Sequence, residues 1–191
     1  YEAGNSEAQT IIHALHQALI GIGPPTAHEV TAAIAKLESP GLHLGAKIVA
    51  KAWTDPTFKS RLLSDGRTAV QELDIPVTEA RIIVVENTAQ LHNLITCTLC
   101  SCYPRSILGQ PPSWYISKAY RARSVREPRQ VLAEFGLDLM QDIKLVVHDS
   151  NADMRYLVLP EPPHDVERYT ISELETMISR DHLIGVARGV G

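Results

Sequence analysis

The chain has 191 residues, of which 45% are hydrophobic, and this suits one globular domain or one domain with a helical extension. Its formal net charge of -4 is spread over mixed acidic and basic residues, which argues against nucleic acid or an anionic membrane as a partner. No apolar run approaches the roughly 20 residues of a membrane-spanning helix, and the polar start lacks a signal-peptide core. Together with the unpaired cysteines described below, these features predict a cytoplasmic protein.

Residues 1–75 are predicted to form a helical N-terminal arm. Apolar residues recur at helical spacing over 6–22 and again over 26–37, and a third helix is predicted to run to about Trp53. Asp55-Pro56 then has the composition of an N-cap followed by the first residue of a fourth helix. A further short helix completes the arm, in which no stretch has the pattern of a strand.

After residue 76 the pattern changes to strands mixed with helices. Residues 81–86 form a β-branched run typical of a buried strand, and 91–96 are a second apolar stretch that leads into a cysteine cluster. Helices are predicted to begin at Pro112, at Pro128 and after Thr170, where Thr170 and a glutamate three residues later have capping-box spacing.

Two later stretches, 143–148 and 154–159, are predicted to be strands that pair with each other across the turn-prone residues 149–153. The short apolar piece 183–186 is predicted to be a last strand. The chain is therefore expected to be an α+β protein, with the helical arm followed by a mixed domain over 76–191.

All three cysteines lie within the six residues Cys97-Thr98-Leu99-Cys100-Ser101-Cys102. An odd number of thiols at this spacing cannot form a disulfide framework, and a thiol is a softer metal ligand than any oxygen. Buried cysteines that serve only as small apolar side chains would be scattered along the chain. The cluster therefore predicts a metal site.

The number of thiols limits which metal the cluster can hold. Structural zinc takes four ligands, so His92 or a distant histidine would have to complete a zinc site, and iron–sulfur clusters normally need four cysteines. In a third arrangement, the three sulfurs face one ion while backbone nitrogens between Cys100 and Cys102 complete the ligand set. Peptide nitrogens lose their protons only to a strongly acidic ion, so this arrangement favours a trivalent metal over zinc.

The cysteine string resembles the metal-binding motif of nitrile hydratase α subunits and of the related thiocyanate hydrolase γ subunit. The resemblance extends over most of the chain. The matching stretches are 45–53, 55–56, 85–88, 103–104, 108–109, 111–112, 114–115, 120–123, 127–129, 131–136, 180–181 and 183–186. The expected core over 76–191 is then an αββα-type sandwich that carries the cysteines, with the helical arm packed on or beside it.

The resemblance implies a role for each residue of the motif. Cys97, Cys100 and Cys102 would supply three sulfur ligands, and the backbone nitrogens of Ser101 and Cys102 would supply two more, leaving a sixth position open. Cys100 would be oxidised to a sulfinic acid and Cys102 to a sulfenic acid, whose oxygen would act as nucleophile or base. Thr98 matches the cobalt-type motif, so low-spin Co(III) is the expected metal, with iron as the second choice.

The implied activity is the hydration of a small-molecule nitrile to an amide. The chain would be incomplete alone, because in this family arginines of a β subunit bind the oxidised cysteines. The expected partners are a β-type subunit, or a β subunit split into two chains, and a helper protein that delivers the metal.

Two departures from the two-subunit pattern leave the substrate open. Arg105 and Gln110 stand where those members usually carry Trp and Leu, and both choices are more similar to the thiocyanate hydrolase γ subunit. Thr78 lies near the place where some members carry an active-site glutamine. The alternatives are therefore conversion of thiocyanate to carbonyl sulfide and ammonia, and a non-catalytic metal-binding protein.

The remaining candidate residues have simpler explanations. His13 and His16 are expected on a solvated helix face, because no third ligand is near. His92 is expected to be a core residue or to support the metal ligands. The basic residues over 120–129 are expected to form salt bridges or subunit contacts, and Trp114 is expected in the core.

Overall fold

The structure, a computed structural model, describes residues 40–189 and four isolated residues, Thr10, Ala14, His28 and Glu29. The four isolated residues are helical. Otherwise the helices predicted over 6–22 and 26–37, with His13 and His16, lie outside the described residues. Residues 40–189 belong to one compact unit.

Within residues 40–80, three helices precede the first strand: α1 (Leu42–Thr54), α2 (Pro56–Ser64) and α3 (Gly66–Gln71). As predicted, Asp55 is the N-cap of α2, and its carboxylate accepts a hydrogen bond of 2.9 Å from the Phe58 backbone N–H. Asp65 caps α3 in the same way, by accepting from the Thr68 N–H. These boundaries are set by local side chains, which explains why they could be predicted.

The described part of the chain has four strands, β1 (Arg81–Glu86), β2 (Leu91–Thr96), β3 (Lys144–Asp149) and β4 (Met154–Leu159), which form two small parallel sheets. One pairs β1 with β4, and the other pairs β2 with β3 so that Thr96 lies opposite Asp149. Helices α2 and α3 contact β1, and further helices pack against the other three strands. The α+β prediction is confirmed.

The predicted pairing of β3 with β4 is wrong. The turn between them exists, since the Asn151 side chain accepts hydrogen bonds from the N–H groups of Asp153 and Met154. However, this turn carries the chain from one sheet to the other. Each later strand instead hydrogen-bonds to an earlier one, β4 to β1 and β3 to β2, so β3 and β4 lie in different sheets.

The remaining helices follow the cysteine cluster or β4. They are α4 (Arg105–Leu108), α5 (Ser113–Ile116), α6 (Lys118–Arg126), α7 (Pro128–Glu134), a 3₁₀ helix (Val166–Arg168), α8 (Ile171–Met177) and α9 (Arg180–Ile184). The helix predicted after Pro112 is interrupted at Ser117, whose hydroxyl accepts from the Tyr120 N–H and caps α6. The predicted capping box at Thr170 is confirmed. Within the described part of the chain, no helix is both long and apolar enough to span a membrane.

The strand predicted over 183–186 is also wrong, because these residues belong to the end of α9 and its C-cap. Gly185 adopts the left-handed conformation with φ 85° and ends the helix, and the Val186 N–H donates to the Asp181 carbonyl at 2.9 Å. Four apolar residues are too few to distinguish a strand from the last turn of a buried helix by periodicity.

A buried polar network ties the C-terminal region to β2. His92 is fully buried, and its Nε2–H donates to the Gly185 carbonyl at 2.8 Å. Its Nδ1 lies 3.3 Å from the Asn87 amide nitrogen, which can only donate. His92 is therefore a neutral core residue, as expected, and its two ring nitrogens are both engaged away from the cysteines.

Acid should weaken the fold through this histidine. Burial lowers the pKa of His92 in the folded protein below its ordinary value of 6.5. Unfolded His92 therefore takes up a proton first as the pH falls, so its stabilising contribution is complete above pH 6.5 and declines below that value. The expected slope is at most about 1.4 kcal/mol per pH unit. Urea unfolding at pH 7.5 and 5.5 should show a smaller acid loss for His92→Gln than for the wild type.

The matched control for this measurement is His164→Gln, which changes an exposed histidine outside the network. The control should lose as much stability on acidification as the wild type. An equal acid loss in His92→Gln and the wild type would contradict the assigned protonation state.

Candidate metal centre

The three predicted sulfur ligands lie together at the end of β2. The Sγ atom of Cys100 is 3.5 Å from that of Cys97 and 3.0 Å from that of Cys102, and all three lie within 4.8 Å of one another. Cys97 and Cys102 are buried, whereas Cys100 is exposed. Among the described residues, this is the one group of three His, Cys, Asp or Glu side chains close enough to hold an ion.

The backbone of the cluster is fixed on both sides of Thr98. Asp149, at the end of β3, accepts hydrogen bonds from the Thr98 N–H at 2.8 Å and from its hydroxyl at 2.5 Å. On the other side, the Arg121 guanidinium donates to the Thr98 carbonyl at 3.4 Å. Because β2 and β3 pair in parallel, the end of β3 lies beside the first residues of the cysteine loop. No motif in the sequence identified Asp149 as part of the site.

Tyr115 supports the cluster from the protein interior. Its buried hydroxyl donates to the Cys102 carbonyl at 2.8 Å, and its ring packs edge-on against Tyr103 with 5.0 Å between the centroids. Helix α6 is tied to β2, the strand that leads into the cysteines, because the Tyr120 hydroxyl donates to the Ile95 carbonyl at 2.6 Å. The cysteine loop is therefore supported by buried hydrogen bonds as well as by the strand.

Tyr115 and Tyr103 should differ sharply in how much stability the protein loses when each hydroxyl is removed. Tyr115→Phe should destabilise the protein by about 1–2 kcal/mol, because the Cys102 carbonyl loses its donor. Tyr103→Phe is the matched control, since the Tyr103 hydroxyl is buried and has no partner among the described residues. The control should cost less than about 0.5 kcal/mol or stabilise the protein. Urea unfolding measures both changes, and equal losses would contradict the assigned role of Tyr115.

The cluster favours a cation by its own electrostatics. Burial, reinforced by hydrogen bonds with the neighbouring thiols, raises the pKa of Cys102 to about 12, whereas hydrogen bonds from Cys102 and Cys97 lower the pKa of Cys100. Three thiolates this close repel one another, so full deprotonation requires a bound positive ion. Three soft sulfur donors of this kind fit a thiophilic transition metal.

The main-chain nitrogens predicted to complete the ligand set belong to Ser101 and Cys102. Their backbone N–H groups help to lower the pKa of the Cys100 thiol, after the larger effect of the Cys102 and Cys97 side chains. The three sulfurs fit a metal ion, and the two backbone nitrogens stay predicted ligands that would complete its set.

A cleft of about 520 Å³ opens over the cysteines. Its lining residues are Thr78, Glu79, Ala80, Cys100, Ser101, Cys102, Tyr103, Arg105, Ala152 and Arg155. Thr78 and Arg105 were singled out by the sequence, and both line the cleft, whereas Gln110 is exposed and lies outside this lining. Glu79 and Arg155 were missed, because they come from distant segments that no motif connects to the cysteines.

The sequence matches one family over nearly its whole length. The family profile described as "Nitrile hydratase, alpha chain" matches residues 6–187. The chain is 50% identical over 148 residues to the low-molecular weight cobalt-containing nitrile hydratase subunit alpha of Rhodococcus rhodochrous, covering 77% of this chain and 72% of that relative. It is 43% identical over 154 residues to the thiocyanate hydrolase subunit gamma of Thiobacillus thioparus, covering 74% and 63% respectively.

Comparison with solved structures finds members of the same family. A double mutant of the Fe-type nitrile hydratase from Comamonas testosteroni Ni1 superimposes with a TM-score of 0.85 at 43% sequence identity. The alignment covers 96% of this chain and 91% of that one. Sequence and structure therefore agree, and the chain belongs to the nitrile hydratase alpha-chain family.

Proposed function

We propose that this chain is the metal-holding subunit of a cobalt nitrile hydratase, an enzyme that adds water to a nitrile and yields the amide. The observation that carries this proposal is the group of three thiols within 4.8 Å of one another beneath an open cleft. The relative from Rhodococcus rhodochrous, which is named as cobalt-containing, supports the choice of metal.

In this proposal the ligands are the sulfurs of Cys97, Cys100 and Cys102 and the backbone nitrogens of Ser101 and Cys102. When bound, low-spin Co(III) supplies the Lewis acidity that activates a nitrile or water for addition near neutral pH. Iron stays the second choice, because the Fe-type relative is 43% identical and identity alone does not separate the two metals.

The residues of the chain carry the remaining steps. Cys102, as a sulfenic acid, acts as nucleophile or takes a proton from water at its sulfenate oxygen, and Cys100 is the sulfinic acid. The guanidinium of Arg155 lies in the same cleft and attracts the negative charge at Cys102. Asp149 and Tyr115 hold the loop in place through Thr98 and the Cys102 carbonyl.

The site is completed by other proteins. The Leu99 side chain, between two of the cysteines, is 85% exposed, which suits a surface that a partner covers. We propose that the partner is a β-type subunit, formed by one chain or two, and that a helper protein delivers the metal in the cytoplasm. The division into a helical arm over 1–75 and a catalytic domain over 76–191 is part of the same proposal.

A second candidate function has its own supporting observation. Arg105 lines the cleft beside Cys102, and a guanidinium suits the thiocyanate anion better than a neutral nitrile. The 43% identity to a thiocyanate hydrolase subunit gamma supports the same candidate. In that case the chain would convert thiocyanate to carbonyl sulfide and ammonia.

One set of assays on the purified complex separates these functions. The chain is co-expressed with the β-type subunits and the helper protein of its source, and amide formation from nitriles is measured beside ammonia release from thiocyanate. We expect amide, stoichiometric cobalt and an intact mass with three added oxygens, from one sulfinic and one sulfenic group. Thiocyanate turnover without amide would overturn the first choice, and cobalt without either activity would favour a non-catalytic metal-binding protein.

A further inference from the structure

Glu79 connects two walls of the cleft over the cysteines. It lies in the segment before β1, and its carboxylate accepts a hydrogen bond of 3.0 Å from the Ser106 backbone N–H. Its second oxygen accepts from the Ser106 hydroxyl. Ser106 is buried and Glu79 is half-buried, so both bonds are partly shielded from water, and they join parts of the chain that are 27 residues apart in sequence.

The residue that precedes Ser106 is Arg105, the first residue of the four-residue helix α4. The Arg105 side chain is exposed and lines the cleft, and it makes no ion pair or side-chain hydrogen bond within the described part of the chain. By contrast, the Arg155 guanidinium on the same cleft donates to the Asn151 carbonyl. Among the residues that the structure describes, no partner holds the Arg105 side chain, so the direction in which it points is set by the position of the α4 backbone.

A single turn of helix has little stability of its own, so its position depends on tertiary contacts. The contact between Glu79 and Ser106 fixes this turn to the opposite cleft wall. Because Arg105 is adjacent to the anchored residue, any shift of the turn would move its guanidinium relative to the cysteines.

We propose that Glu79 is a positioning residue that acts through Ser106 to hold the Arg105 guanidinium at the cleft, with the thiocyanate anion as the probe of where that guanidinium lies. This inference rests on the proposed function only in that it uses the same cleft. The anion binds either as substrate or in competition with a neutral nitrile. Glu79 is itself anionic, but its two oxygens are engaged by the N–H and O–H of Ser106.

Two substitutions separate the charge of Glu79 from its anchoring role. Glu79→Gln removes the charge but keeps an oxygen for the Ser106 N–H and an amide that can donate to the Ser106 hydroxyl. Glu79→Ala removes both bonds. Each is made alone and together with Arg105→Gln, and thiocyanate affinity of the cobalt-loaded complex is measured by stopped-flow titration of its visible absorption, which reads binding before turnover.

We expect Glu79→Ala to bind thiocyanate about tenfold more weakly than Glu79→Gln when Arg105 is present. In the Arg105→Gln background the two Glu79 variants should bind thiocyanate equally, because the group that Glu79 positions is gone. The KM for a neutral nitrile should differ by less than about twofold between Glu79→Ala and Glu79→Gln, whereas a general distortion of the site in Glu79→Ala would raise it as well.

Glu72→Ala is the matched control, since it removes a carboxylate that pairs with the exposed Arg61 outside the cleft, and it should leave thiocyanate affinity unchanged. If Glu79→Ala does not fold, Ser106→Ala removes only the hydroxyl bond and should show a smaller effect in the same direction. The proposal is overturned if the wild-type complex does not bind thiocyanate, or if the Glu79 variants differ equally with and without Arg105. Because binding is read directly, a complex that binds thiocyanate but turns over neither substrate refutes the proposed function and not this inference.

Discussion

Replacing Cys97 by alanine should reduce the cobalt content of the purified complex at least about tenfold and abolish its activity. Cys97 is fully buried at the end of β2, and its sulfur is one of only three thiols in the chain. Its loss leaves Cys100 and Cys102 as the sulfur ligands, while the smaller alanine side chain can be accommodated without a clash. Metal analysis of the co-expressed complex by mass spectrometry gives the result.

A pair of substitutions at Ser101 provides the control and tests the backbone ligand. Ser101→Ala keeps the main-chain N–H, so the variant should retain its cobalt. Ser101→Pro removes that N–H, and a proline nitrogen cannot lose a proton to become a ligand, so cobalt should be lost as in Cys97→Ala. Cobalt retention in the proline variant would show that the Ser101 nitrogen is not a ligand.

The largest effect on stability should come from Gly185→Ala. Gly185 has φ 85°, and a Cβ atom there would lie 1.9 Å from the Asn93 carbonyl oxygen and 3.1 Å from the Leu94 Cα. These are backbone atoms of β2, the strand that leads to Cys97, so they cannot move aside cheaply. We expect a loss of more than about 3 kcal/mol in the free energy of unfolding, or no soluble protein.

Gly136→Ala is the matched control for this substitution. Gly136 has nearly the same backbone conformation, with φ 84°, but no atom of the described structure lies within 4 Å of a Cβ placed there. The control should therefore lose only about 1 kcal/mol, the cost of a left-handed alanine. Equal losses for the two variants in urea unfolding would contradict the close approach of Gly185 to β2.

Local signals explain what the sequence could predict. Asp55 caps the helix that it precedes, Thr170 begins its capping box, and the three thiols lie within six residues. Each of these features depends on residues at most a few positions apart. The three sulfurs therefore lie together as predicted, and their role as metal ligands stays a prediction.

Long-range pairing explains what could not be predicted. The parallel pairing of β2 with β3 joins segments about 50 residues apart, and it alone brings Asp149 to Thr98. Glu79 and Ser106 are likewise far apart in the sequence, by 27 residues, and only the fold brings them together. A turn motif such as 149–153 suggested a hairpin because it reports only on the local reversal of the chain. The residues that support the cysteines come from these non-local contacts, so a motif search finds the ligands and misses their supports.

X-ray absorption at the cobalt edge of the purified, active complex tests the central claim most directly. The account predicts a shell of three sulfurs together with two nitrogens at shorter distance, and an edge position typical of trivalent cobalt. A shell of nitrogen and oxygen atoms without sulfur, in a complex that still converts nitrile to amide, would contradict it.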